Sequence, residues 1–223
     1  LKTRFLNNAL NLYKKKLFFS LLFLITISPI SFGDTKLIIL GSGTPNPDPE
    51  RYGSGYAVVV NESAYIVDFG PGIVRRISAM SPTWGGEFPS MELKKINIAF
   101  LTHIHSDHSG ALADLILTPW IMGRDVPLKL YGPPGLDAMS KNITEAYIDD
   151  INYRLYGSQP ANKLGYTTLV NEISEDGVIY KDENVKVIAF KNAHGDFKNS
   201  FGFLFITKDK KILLSGDTAV SEN

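Results

Sequence analysis

From Lys36 onward, short runs rich in β-branched and aromatic residues recur, each closed by turn-forming or polar residues: Lys36 to Leu40, Tyr56 to Val60, Ala64 to Asp68, Ile96 to Leu101, Leu128 to Tyr131, Val185 to Phe190, Phe201 to Thr207 and Lys211 to Ser215. Runs of this length and composition predict strands. Between some of them apolar residues return at helical spacing, which predicts helices over Ile73 to Met80, Ser109 to about Ile121 and Leu136 to Asp150. The early strands follow one another like hairpins and the later ones alternate with helices. That order predicts an α/β fold with sheet inside and helix outside. No repeat, low-complexity tract or linker interrupts residues 34–223, which are expected to form one domain.

The first 33 residues depart from this pattern. Lys14, Lys15 and Lys16 precede an apolar stretch from Leu17 to about Ile27, and Ser31-Phe32-Gly33 follows with small residues where a signal peptidase reads. The order is that of a secretory signal, with cleavage expected after Gly33. The stretch is shorter than the roughly 20 apolar residues of a spanning helix, and Ser28-Pro29 interrupts it. The protein is therefore expected to be exported, periplasmic or secreted, with no stable membrane span after cleavage.

Lys plus Arg number 23 and Asp plus Glu number 23, so no global field recruits nucleic acid or an acidic membrane surface. There is no cysteine, which excludes disulfides, thiolate metal sites and thiol nucleophiles. Any metal must be held by His, Asp and Glu.

Two loops place unusual demands on the backbone. "LGSGTPNPDPERYGSG" follows the first strand and combines glycines with prolines, the composition of an ordered, tightly turning loop. It lacks the third glycine of a dinucleotide fingerprint. "VDFGPG" ends a strand with Asp68 and then turns through Gly-Pro-Gly, which lets backbone come close to whatever lies at the strand's end.

"AFLTHIHSDHSGALADL" carries three of the four histidines. On a strand end, residues two apart share a side, so His103 and His105 are expected to converge. A helix beginning near Ser109-Gly110 would carry Asp107 and His108 to the adjacent side of the same point. Six residues can thus begin two metal positions. His194, just past the strand Val185 to Phe190, and Asp217, just past "KKILLSG", are the candidates to extend them.

The segments "LGSGTPNPDPERYGSGYAVVV", "YIVDFGPG", "FLTHIHSDHSGALADLILTPW", "LYGPPG", "AHGDFKNSFGF" and "LLSGDTAVSE" resemble, in this order, the metallo-β-lactamase-fold hydrolases and within them the ribonuclease Z-like and arylsulfatase-like branch. The resemblance implies an αββα sandwich with a binuclear zinc site at one edge. It implies that His103, His105 and His194 ligate one zinc, Asp107 and His108 the other, and that Asp217 bridges both. Asp68 would orient a ligand histidine. Asp107 and Asp217 would carry the catalytic work, with a hydroxide held between the metals attacking an ester. Manganese and iron suit the same donors. A homodimer is also implied.

The branch has a further ligand histidine near its C-terminus and a His-Glu segment before it, and neither has a counterpart here. The chain is therefore expected to lack the C-terminal part of the fold. The favoured reading is an exported dizinc hydrolase of small phosphodiester or sulfate esters. Between Gly135 and Val178 the chain is mildly acidic and largely helical in pattern, without the Lys and Arg that nucleic-acid binding requires. This argues against a nucleic-acid partner. Two other readings stay open: a ribonuclease Z-type endoribonuclease, and a zinc-binding module impaired in catalysis by the absent histidine. Trp120, Tyr147, Tyr153 and Tyr156 are expected in the core more readily than along a substrate cleft.

Overall fold

The computed structural model describes residues 34–220, so the expected signal segment, 1–33, lies outside the described residues. The first sheet is built from β1 (Thr35–Gly41), β2 (Gly55–Val60), β3 (Ser63–Val67), β4 (Ile98–Phe100), β5 (Leu128–Gly132) and β6 (Thr168–Glu172), in chain order across the sheet. The β1–β2–β3 pairs are antiparallel, β2 and β3 joined by a tight turn, and β3–β4–β5–β6 are parallel. The parallel crossovers carry α1 (Ile73–Ala79), α2 (Ser106–Ser109), α3 (Leu112–Ile121), α4 (Leu136–Ala146) and α5 (Ile148–Tyr156). The second sheet is antiparallel, in the order β10 (Lys211–Leu214), β9 (Phe201–Ile206), β8 (Lys186–Lys191), β7 (Gly177–Lys181).

Alternation along the strands divides the core in two. On β3, Ala64 and Ile66 face the helices, where Ile73, Ile77, Leu112, Leu115 and Leu136 pack on them. Tyr65 and Val67 face the second sheet and meet Val187, Ala189, Phe203 and Phe205. Tyr65 Oη donates to Asp182 Oδ2 at 2.6 Å, a polar tie between β3 and the β7–β8 hairpin. The described residues thus supply one helical layer and both sheets of the αββα sandwich. Among them, no helix is long and apolar enough to cross a membrane.

The eight expected strands are present, and β6 and β7 are additional. β6 lies at the edge of its sheet with little burial, so its sequence "TLVNE" carries a weak hydrophobic pattern. Pairing with β5 over five positions makes it a strand. The helix expected over Leu136 to Asp150 is two helices that meet at Tyr147. Trp120 is buried and donates from Nε1 to the Asn162 carbonyl at 2.8 Å. Tyr147, Tyr153 and Tyr156 are exposed and belong neither to the core nor to the histidine cluster.

Candidate metal centre

The parallel strands β3 and β4 end side by side, Val67 opposite Phe100. Asp68 and the motif loop leave the sheet at this edge. β4 stops at Phe100, so His103 and His105 are carried by the loop that follows. Their convergence comes from the loop's path and not from strand alternation. The helix also starts earlier than expected: Asp107 and His108 sit in α2, which begins at Ser106, and a break at Gly110-Ala111 separates it from α3. Backbone hydrogen bonds impose this path. Ser54 N–H donates to the Asp107 carbonyl at 2.9 Å, Phe69 N–H to His108 at 2.7 Å, and Ala111 N–H to Phe69 at 2.9 Å. The two Gly-rich loops are therefore clamps on the motif loop.

The second sheet brings its residues to the same end, where Phe201 N–H donates to the Thr102 carbonyl at 3.0 Å. His194 follows β8 and is steadied by an isolated bridge to Phe197. The Phe197 ring centre lies 4.8 Å from that of His105. Asp217 follows β10, reached through Gly216 at φ 63°, and its side chain is half exposed.

Two donor groups result, and they share His103. In one, His103, His105 and His194 converge. Nε2 of His103 stands 3.1 Å, and Nε2 of His194 3.2 Å, from Nδ1 of His105. Two nitrogens each about 2.0–2.1 Å from one tetrahedral zinc stand about 3.3 Å apart, so this spacing fits a single cation. In the other, His103, His108 and Asp217 converge, with His108 Nε2 3.3 Å from Asp217 Oδ1. Asp107 Oδ2 lies 3.5 Å from the same His108 nitrogen, and Asp107 Oδ1 is buried without a hydrogen-bond partner. An orphaned carboxylate oxygen beside converging imidazoles is a donor set that fits a divalent cation. All six expected ligand residues are gathered at this edge.

Asp68 is buried beneath them in a left-handed conformation, φ 57°, uncommon for a residue with a side chain. Its Oδ2 lies 2.7 Å from His108 Nδ1, which leaves His108 Nε2 free to face Asp217. Burial pushes the Asp68 carboxyl up, against the pull of His108 and Thr102. Burial also opposes charge on His108, but the hydrogen bond and charge of Asp68 outweigh it and raise the imidazole's pKa. His103 goes the other way. Burial, followed by the neighbouring His108, His105 and His194, lowers it to about 3. Thr102, which the motif reading passed over, bonds both Asp68 and His103; its place directly before the first motif histidine is the one sequence signal that marks it.

The family model for the anti-Pycsar protein Apyc1 matches residues 35–223. The chain belongs to this family. Apyc1-family membership goes together with similarity to ribonuclease Z of Mycobacterium sp. (strain KMS), 31% identical over 185 residues, or 82% of this chain. The chain spans 61% of that relative's length. Among solved structures, the short form of human tRNase Z superposes with a TM-score of 0.63 at 22% identity, covering 81% of this chain and 68% of that one. The metallo-β-lactamase fold protein YhfI from Bacillus subtilis gives 0.61 at 13% identity, covering 84% and 66%. This Apyc1-family chain has the metallo-β-lactamase fold and lies in its ribonuclease Z-like branch.

Proposed function

We propose that this Apyc1-family protein is a metal-dependent hydrolase of small phosphodiesters, with two divalent ions, zinc first among them, held at the His103 edge. The observation that carries the reading is the pair of adjacent donor groups hinged on His103. His103, His105 and His194 would hold one ion and Asp107 and His108 the other, with Asp217, which converges with His103 and His108, as a further ligand. Bound there, divalent ions supply Lewis acidity and make water a usable nucleophile near neutral pH. Asp68 holds His108 with its Nε2 turned inward. Asp107 Oδ1, buried and unpartnered, would be free to ligate an ion and to orient the water held beside it. Asp217, half exposed, faces the incoming ester.

A small substrate is favoured by the charge of the segment that would otherwise meet RNA. Between Gly135 and Val178, Lys141 is paired with Asp137 at 2.6 Å and Arg154 with Asp150 at 3.1 Å. Little positive charge is left there for a phosphate backbone. The similarity to ribonuclease Z favours a second reading, endonucleolytic cleavage of RNA. Hydrolysis of bis(p-nitrophenyl) phosphate, p-nitrophenyl sulfate and a tRNA precursor by zinc-loaded protein separates the two. Turnover of the first alone supports the proposal; cleavage of only the precursor overturns it.

Export is the second part of the proposal, resting on the Lys14–Lys16 cluster and the apolar stretch after it. Mass spectrometry of the protein from periplasm or medium should find Asp34 at the N-terminus. Retention of residues 1–33 in the cytoplasmic fraction would overturn it.

A further inference from the structure

One buried hydroxyl bonds His103, which both donor groups share, and Asp68, which holds His108. Thr102 Oγ1 lies 3.0 Å from both oxygens of Asp68 and 3.0 Å from His103 Nδ1. Asp68 in turn accepts the Thr102 N–H at 2.8 Å through Oδ1, and its Oδ2 meets His108 Nδ1 at 2.7 Å. All four residues are buried, so water does not compete for these bonds. With the Thr102 N–H on Oδ1 and the His108 ring nitrogen on Oδ2, Asp68 is placed as an ionised acceptor with no proton to give, whereas a hydroxyl has one. The Thr102 proton therefore goes to Asp68. Toward His103 the oxygen can only accept, so His103 Nδ1 carries the hydrogen.

We propose that Thr102 is a positioning residue for both metal positions. Its hydroxyl holds His103 in the Nδ1–H tautomer, which frees Nε2 toward His105 and His194. It also holds Asp68 where that carboxylate orients His108. Thr102 further packs under the turn that delivers Asp217, since a Cβ on Gly216 would lie 2.8 Å from Thr102 Cβ. One side chain thus touches Asp68, His103 and the turn before Asp217. The assignment rests on the two-ion reading above for its consequence, but not for its hydrogen-bond geometry.

Nitrogen-15 NMR of the imidazoles in the full chain tests it, because only four histidines contribute. Metal-free wild-type protein should show His103 as the Nδ1–H tautomer, Thr102→Ser should preserve it, and Thr102→Val should release it to Nε2–H or a mixture. Zinc alone, titrated against a competing chelator, should bind Thr102→Val about 10–100-fold more weakly at both positions. Thr102→Ser should stay near wild type. An Nε2–H tautomer in wild type overturns the proposal, as does a Thr102→Val protein with unchanged tautomer or with loss at one position only. Should Thr102→Val not fold, the wild-type and Thr102→Ser tautomers decide. Wild-type protein that takes up no zinc defeats the two-ion reading, while its tautomer still decides the role of Thr102.

Discussion

Gly70 lies so close beneath Asp107 that a Cβ at Gly70 would stand 1.9 Å from the Asp107 carbonyl oxygen. The same Cβ would lie 2.7 Å from Ser54 N and 2.8 Å from the Gly53 carbonyl carbon. All three are backbone atoms, so no flexible side chain can yield. The absence of a side chain in the "VDFGPG" turn is what allows the two clamping loops to grip the metal-ligand loop.

Gly70→Ala is accordingly expected to cost about 3 kcal/mol or more, at the upper end of overpacking, and to lower Tm by about 6–12 °C for a domain of this size. Because the clash bears on Asp107, metal content should fall as well. Gly85→Ala is the control: it meets no atom within 4 Å and suffers only from its left-handed φ of 83°, at about 1–2 kcal/mol. Differential scanning calorimetry and metal analysis of both variants check this. Equal melting temperatures would refute the clamp.

Much of this site is legible in the sequence and some of it is not, for physical reasons. His103, His105, Asp107 and His108 crowd six positions, and few structures other than a metal centre need so many ligand-type side chains together. The path that makes them converge is not legible, because it depends on hydrogen bonds from Ser54 and Phe69 that no local pattern records. Asp68 was legible as an acid at a strand end. Thr102 is marked only by its place before the first motif histidine, and that acquires meaning once its oxygen is seen between Asp68 and His103. Strands β6 and β7 were missed because partner strands, rather than their own periodicity, hold them.

Arg124 shows another limit of local reading. It is fully buried, and its guanidinium donates to the carbonyls of Ile96, Leu115, Ile116 and Gly165 at 2.7–3.2 Å. Pro119 has no N–H to offer Leu115 four residues earlier, and Arg124 Nη1 serves that carbonyl at 3.1 Å. Burial lowers its pKa to about 10, still well above neutrality. Arg124→Met would strand several buried acceptors and is expected to cost about 3–5 kcal/mol, given about 1–3 kcal/mol for each unsatisfied group and incomplete additivity. Arg124→Lys should also cost at least about 2 kcal/mol, because an ammonium cannot reproduce the planar fork. Urea denaturation measures both. A lysine variant as stable as wild type would show that charge, not geometry, matters here.

His103 should draw stability from the metal-free protein as pH falls below 6.5, against the raised carboxyl of Asp68, which acts in the opposite sense. His103 is held at about 3 in the fold against 6.5 ordinarily, so the unfolded chain binds a proton there that the folded chain refuses. The contribution is complete above 6.5 and is lost progressively toward pH 3, at no more than about 1.4 kcal/mol per pH unit. Chemical denaturation in chelator between pH 7 and pH 4 should show this slope. His103→Gln should flatten it; an unchanged slope in that variant would assign the effect to another group.

Asp182 predicts a second pH response, away from the metal edge. Its carboxylate accepts from Tyr65 Oη at 2.6 Å, Tyr180 Oη at 2.9 Å, Asn184 N at 2.9 Å and Val185 N at 2.8 Å. Burial works against its charge, but these donors, Tyr65 first, outweigh it and lower the pKa from 3.8. A lowered carboxyl contributes stability that is complete above 3.8 and is lost as pH falls through the folded value. Asp182→Asn should therefore be destabilised by about 1 kcal/mol at pH 7, the worth of one net hydrogen bond, and the difference from wild type should shrink below pH 3.8. The tyrosines respond at the other end. Burial and then the Asp182 bond raise both phenols above their usual 10, so their contribution is complete below pH 10 and is lost as pH rises beyond it. Burial raises Tyr131 as well, so phenolate absorbance should show three of the ten tyrosines ionising late in wild type, of which Tyr65 and Tyr180 should ionise earlier in Asp182→Asn. If both proteins titrate alike, the tie between the sheets carries no such linkage.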